Sequence, residues 1–110
     1  MVSDMANDVF VALAHPVRRG IVEKLARQPT TVGSATKHFG LSKPTISRHL
    51  KVLEEAGVVR RRVVGRQHHL DLNMEALAGP YEWLSRQREV WERMFDAVED
   101  HLRARGVIDD

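Results

Sequence analysis

The sequence predicts a mainly α protein with a small β-hairpin, and three observations predict it. A glycine-bearing turn, HFGLS, separates two short helical patterns. A β-branched, arginine-rich run, VVRRRVV, faces an alternating QHHLDL across Gly65-Arg66. The last third of the chain carries a single apolar stripe at helical spacing. At 110 residues the length suits one domain, residues 1–110, large enough to bury a core without staples.

The elements follow in order. Residues 4–14 place Met5, Val9, Phe10 and Leu13 on one side of a first helix. Pro16 suits the first turn of a second helix. Val17, Ile21, Val22 and Leu25 carry that helix to about Arg27, and Gln28-Pro29 closes it. Thr31 is an N-cap for a short third helix reaching Lys37 or His38, with Val32, Ala35 and Phe39 facing one way. Gly40 supplies a left-handed turn position. Ser42 then caps a fourth helix from Lys43 to about Ala56, with Pro44 in its first turn and Gly57 just past its end.

Val58–Val64 and Gln67–Leu72 are the two strands of a hairpin, with Leu70 and Leu72 on one face. Residues 73–79 connect to a long helix from Pro80 to about Arg103. Trp83, Leu84, Trp91, Met94, Phe95, Val98 and Leu102 form its stripe, and Gly106 ends it before a loose tail, Val107–Asp110. Helices, a helix-turn-helix, a two-stranded wing and a long C-terminal helix make a winged helix-turn-helix.

Composition excludes several classes. With no cysteine there is no disulfide, thiolate metal site or cysteine nucleophile. No apolar run approaches a membrane span, and the start carries Asp4 and Asp8 in place of a basic leader, so a soluble, cytoplasmic protein with no membrane partner is expected. There is no Gly-rich phosphate loop, nucleophile elbow or paired-carboxylate cleft, so no enzyme is expected.

The net charge of +2 is small, but it is unevenly placed. Between Lys37 and Arg66 stand eight basic and two acidic residues, a net +6, which leaves −4 for the remainder. A basic middle between acidic flanks is the footprint of a surface that meets phosphate. On the fourth helix Ile46, Leu50 and Leu53 share one face, while Pro44, Ser47, Arg48, Lys51 and Glu55 gather on the other. N-terminal residues of such a helix reach base edges in the major groove. Arg48 is the candidate for bidentate guanine readout, with Ser47 and Thr45 as further base or phosphate contacts. Ser42, Lys43 and Lys51 are phosphate contacts. On the hairpin, Arg66 is the minor-groove candidate, Gln67 and His68 sit beside it, and Arg60 and Arg62 share a face as phosphate contacts. A solvated charged face accounts for the same arginines without DNA.

The stretches LAHPVRRGIVEKL, SKPTISRHLKVLEEAGVV and GRQHHLDL resemble, in this order, the ArsR-type family of bacterial and archaeal repressors over about residues 5–104. The resemblance implies a homodimeric repressor, in some members an autorepressor, binding a two-fold symmetric operator in double-stranded DNA. It also implies a dimer built from the first and last helices, which fits their excess of apolar residues. Val9, Phe10, Leu84, Trp91, Met94, Phe95 and Val98 are the interface candidates.

The metal-sensing patterns of that family are missing. GSATKHF stands where the cysteine motif would be, and the last helix holds one histidine, His101, beside Asp96 and Asp100. His68 and His69 point to opposite faces of a strand. No metal and no cofactor are therefore expected, and any small-molecule effector stays open. Two alternatives remain: a ligand- or metal-responsive repressor with an inter-subunit site near Trp83 and Trp91, and a winged-helix module that binds protein.

Overall fold

A computed structural model describes residues 4–107, with side chains from Asn7 onward. Met5's side chain and the tail beyond Val107 lie outside the described residues. The chain forms two compact units, one ending at Pro80 and one beginning at Tyr81.

In the first unit, helix α1 (Asp4–Ala12) is followed by α2 (Pro16–Arg27). The sequence periodicity carries the first helix to residue 14, and the structure stops it two residues earlier. At that end Arg18 donates to the carbonyls of Ala12 and Val11, and Arg19 to that of Leu13, beside the backbone bonds from Leu13 to Val9 and Ala14 to Val11. His15 caps α2, its Nδ1 accepting from the Val17 amide at 3.1 Å, with Pro16 at the first helical position.

Strand β1 (Thr30–Thr31) was not foreseen in the sequence. It is too short to show any periodicity, and it turns the expected two-stranded hairpin into a three-stranded antiparallel sheet of order β1-β3-β2. Thr31 also caps α3 (Val32–Thr36), accepting from the Ser34 amide at 3.2 Å. Helix α4 (Lys43–Glu55) starts at Ser42 and ends in a Schellman arrangement. There Gly57 takes φ +77°, its amide bonds the Glu54 carbonyl, and the Val58 amide bonds that of Leu53, both at 3.0 Å.

Strands β2 (Val59–Val64) and β3 (Gln67–Leu72) pair Val59 with Leu72 through to Val64 with Gln67. Gly65 at φ +61° opens the two-residue turn, and Arg66 keeps a negative φ, the signs of a type II′ hairpin. A 3-10 turn (Met74–Leu77) leads into α5 (Ala78–Ala104), which makes up most of the second unit.

The core of the first unit gathers Val9 and Ala12 of α1, Ile21 and Leu25 of α2, Ala35 of α3, Ile46, Leu50 and Leu53 of α4, and Val58, Val59 and Leu70 around the sheet. The apolar face read from the fourth helix is thus the buried one. Among the described residues no buried side-chain polar atom lacks a partner, and no helix is long and apolar enough to cross a membrane.

Candidate nucleic-acid interface

The polar face of α4 is turned to solvent. Pro44, Ser47, Arg48, Lys51 and Glu55 are exposed, and Thr45 is half-buried on the flank. Ile46, Leu50 and Leu53 anchor the opposite face, so the exposed side chains are presented by a helix that cannot rotate without uncovering the core. Lys51 stands 3.9 Å from Glu55 one turn on, a loose surface pair that leaves its charge available.

Ser42 caps α4. Its hydroxyl accepts from the Thr45 amide and donates to Thr45 Oγ1 at 2.9 Å. A serine has one hydroxyl proton. With that proton directed to Thr45, it is the Thr45 hydroxyl that can donate outward.

A groove of about 610 Å³ runs between α3, α4 and the hairpin. Lys37, Lys43, Arg61 and Arg66 line it together with Ser47, Gln67 and His68, and no carboxylate does. Its floor is apolar, formed by Val32, Leu41, Ile46 and Leu50. The structure therefore brings Lys43, Ser47, Arg66, Gln67 and His68 together on one basic concavity. Gly40, at φ +64°, makes the turn that sets α3 beside α4.

Arg60 and Arg62 are not part of that concavity. Strand alternation puts them on the other sheet face with His69 and Asp71, and these four border a second recess that Arg61 and Leu70 also line. Arg60 Nε donates to Asp71 Oδ1 at 3.1 Å, so one of the two is already partnered within the sheet.

Two groups were missed in the sequence. Arg61 shares the groove-side face with Leu70, and strand alternation was the signal for it. Arg18 joins three helices: it holds the end of α1 and its Nη1 lies 3.1 Å from His49 Nδ1 on α4. Arginine only donates, so His49 Nδ1 is the acceptor and the ring is neutral. Burial holds the proton affinity of His49 below the ordinary 6.5, and the neighbouring charges of His15, Arg18 and Arg48 push the same way.

The interface candidates divide. Val9 is corrected: at 1% exposure it is enclosed in its own core, because the stripe of α1 packs inward onto α4 and the 3-10 turn. Phe10 is half-buried. On the second unit Leu84, Trp91, Met94, Phe95 and Val98 are all exposed along α5, Phe95 the most at 69%. Among the described residues no three metal-ligating side chains converge, His101 and its acidic neighbours included.

The family model for bacterial regulatory proteins of the arsR family matches residues 15–61. The transcriptional repressor SdpR of Bacillus subtilis (strain 168) is 36% identical over 78 residues, covering 71% of this chain and 87% of that one. A solved ArsR family transcriptional regulator superimposes with a TM-score of 0.74 at 33% identity, over 84% of this chain and 97% of that one. A homodimeric winged helix-turn-helix DNA-binding domain from Mycobacterium bovis matches with a TM-score of 0.58 at 26% identity, over 89% and 84%.

Proposed function

The chain belongs to the arsR family of bacterial regulatory proteins, and from that premise we propose that it is a homodimeric transcriptional repressor that binds a two-fold symmetric operator. The observation that carries this reading is the concavity between α3, α4 and the hairpin, where Lys37, Lys43 and Arg66 stand with no carboxylate in the lining, beside the exposed polar face of α4. A surface of that sign and shape takes a polyanion.

In this reading α4 enters the major groove. Arg48 reads a base edge with Ser47 and Pro44 beside it, and Thr45, Lys43 and Lys51 contact flanking phosphates. Arg66, at the hairpin tip, reaches the adjacent minor groove with Gln67 and His68. Arg62 is a phosphate contact only where the duplex wraps to the far side of the wing. The dimer joins two copies through α5 and α1, with Leu84, Trp91, Met94, Phe95, Val98 and Phe10 at the seam.

Selection of bound duplexes from a random pool tests the reading. It predicts enrichment of one inverted repeat whose half-sites lie about one helical turn apart, 10 base pairs or a multiple. A pool without enrichment, or enrichment of an asymmetric single site, overturns it.

A further inference from the structure

Among the ion pairs of the first unit, the one between Arg61 and Glu54 has the least exposed side chains. The two side chains are 29% and 32% exposed, against 63% and 46% for Arg60 and Asp71. Arg61 Nε donates to Glu54 Oε1 at 2.8 Å, and Nη2 reaches the same oxygen. Its Nη1 lies 3.1 Å from His68 Nδ1, which must be the acceptor because arginine only donates. All three guanidinium nitrogens are thus directed to partners in the chain. One partner sits on α4, one residue before its end, and the other near the tip of the hairpin.

The hairpin needs such a link. Val59 and Leu70 are buried in the core, but every residue from Arg60 to His68 is exposed. The third strand supports β3 only at Leu70 and His69. Beyond that register the tip is a two-stranded ribbon, which is marginal by itself in water. Arg61 lies just past the last buried residue of β2 and ties the ribbon both to α4 and to its own far strand.

We propose that Arg61 is a positioning residue that sets the hairpin tip against α4 through Glu54 and His68, and not a phosphate contact. The proposal rests on the DNA-binding reading above, since the spacing it fixes is that between the helix in one groove and Arg66 in the next. It has an unusual consequence. Glu54 is one of only two acids in the basic stretch, so removing its charge would tighten binding if electrostatic attraction alone mattered. As the anchor of Arg61 it is required, and its loss weakens binding.

The test compares the full-length wild-type protein with Glu54→Gln, Arg61→Gln and the exchanged pair Glu54→Arg/Arg61→Glu on the selected duplex across a salt series. Glu54→Gln and Arg61→Gln are each expected to weaken specific binding about tenfold, the scale of one charge-assisted hydrogen bond. The slope of log affinity against log salt stays at the wild-type value, and the exchanged pair recovers most of the loss. Tighter or unchanged binding by Glu54→Gln, or a slope lowered by about 0.9 in Arg61→Gln, overturns the proposal, the latter by making Arg61 a phosphate contact. Amide hydrogen exchange without DNA provides the second arm. In Glu54→Gln, exchange at residues 63–68 is expected to accelerate while that of Ile21, Leu50 and Leu53 holds. Unchanged exchange at the tip overturns the link even if the wild-type protein selects no duplex, and acceleration sustains the link while the DNA-binding reading falls.

Discussion

The rings of His15 and His49 lie 4.4 Å apart between centroids and 48° from parallel, joining the cap of α2 to the middle of α4. Both rings use Nδ1 as an acceptor, from the Val17 amide in one case and from Arg18 in the other. The helix that presents Arg48 is therefore held against α2 by a contact that works only while His49 is neutral.

That contact has a pH dependence with a definite sign. Unfolded, His49 titrates near the ordinary 6.5; folded, burial first and then His15, Arg18 and Arg48 lower its proton affinity. Well above 6.5 neither state holds the proton, and the stabilisation is complete. As pH falls below 6.5 the unfolded chain takes up the proton first, and stability drops until the folded ring is also protonated. His49→Gln keeps an acceptor for Arg18 and cannot titrate. Urea unfolding at pH 7.5 and 5.5 is expected to show a smaller loss for this variant than for the wild-type protein. An equal loss in both would assign the acid sensitivity to other groups.

Arg48 and Lys51 lie one turn apart on the exposed face of α4, but their removal should read differently. Arg48→Ala is expected to cost about 1–3 kcal/mol at the operator and to relax preference at one base position. Lys51→Ala should weaken all sequences alike and lower the salt slope by about one unit. Binding titrations on the operator and its single-base variants check both. An unchanged preference in Arg48→Ala would move base readout to another residue.

Gly20 lies inside α2, where alanine ordinarily stabilises a helix by about 1 kcal/mol. Here a Cβ would stand 2.7 Å and 2.9 Å from the Phe39 ring, well inside van der Waals contact. Phe39 packs against the core and links α3 to it. Gly20→Ala is therefore expected to lower stability, by about 1–2 kcal/mol net of the helix gain. Adding Phe39→Leu should return part of it, and chemical denaturation measures both.

The exposed stripe of α5 predicts self-association. Trp91 at 42% and Phe95 at 69% exposure are large apolar surfaces for a lone chain to leave in water. Sedimentation at micromolar concentration should give twice the 12.5 kDa of one chain, and Phe95→Glu should give 12.5 kDa with its helix content kept. A wild-type protein of single-chain mass would remove the dimer from the account.

Much of this was legible in the residues, because local chemistry set it. Ser42, Thr31 and Gly57 mark helix ends through caps that act within three or four residues. The spacing of Ile46, Leu50 and Leu53 gave the buried face of α4, and its complement was the exposed one. What escaped depends on contacts between distant segments. Arg18 reaches from α2 to His49, 31 residues away. The pairing of Thr30 with Leu70 needs the folded sheet before it exists. Val9 looked like surface because an apolar stripe does not say whether its partner is the same chain or another. The run VVRRRVV carries three like charges on two faces, and only the sheet shows Arg61 turned toward Glu54 and Arg60 toward Asp71.

The most direct measurement is an anisotropy titration of the wild-type protein into the selected duplex and a scrambled one of equal composition, at about 0.15 M ionic strength. At that salt the Debye length is about 8 Å and long-range attraction is damped. The account predicts a preference of about a thousand-fold or more for the selected duplex, with two protomers bound per site. Equal affinity for the two duplexes, or no binding to either, would contradict it.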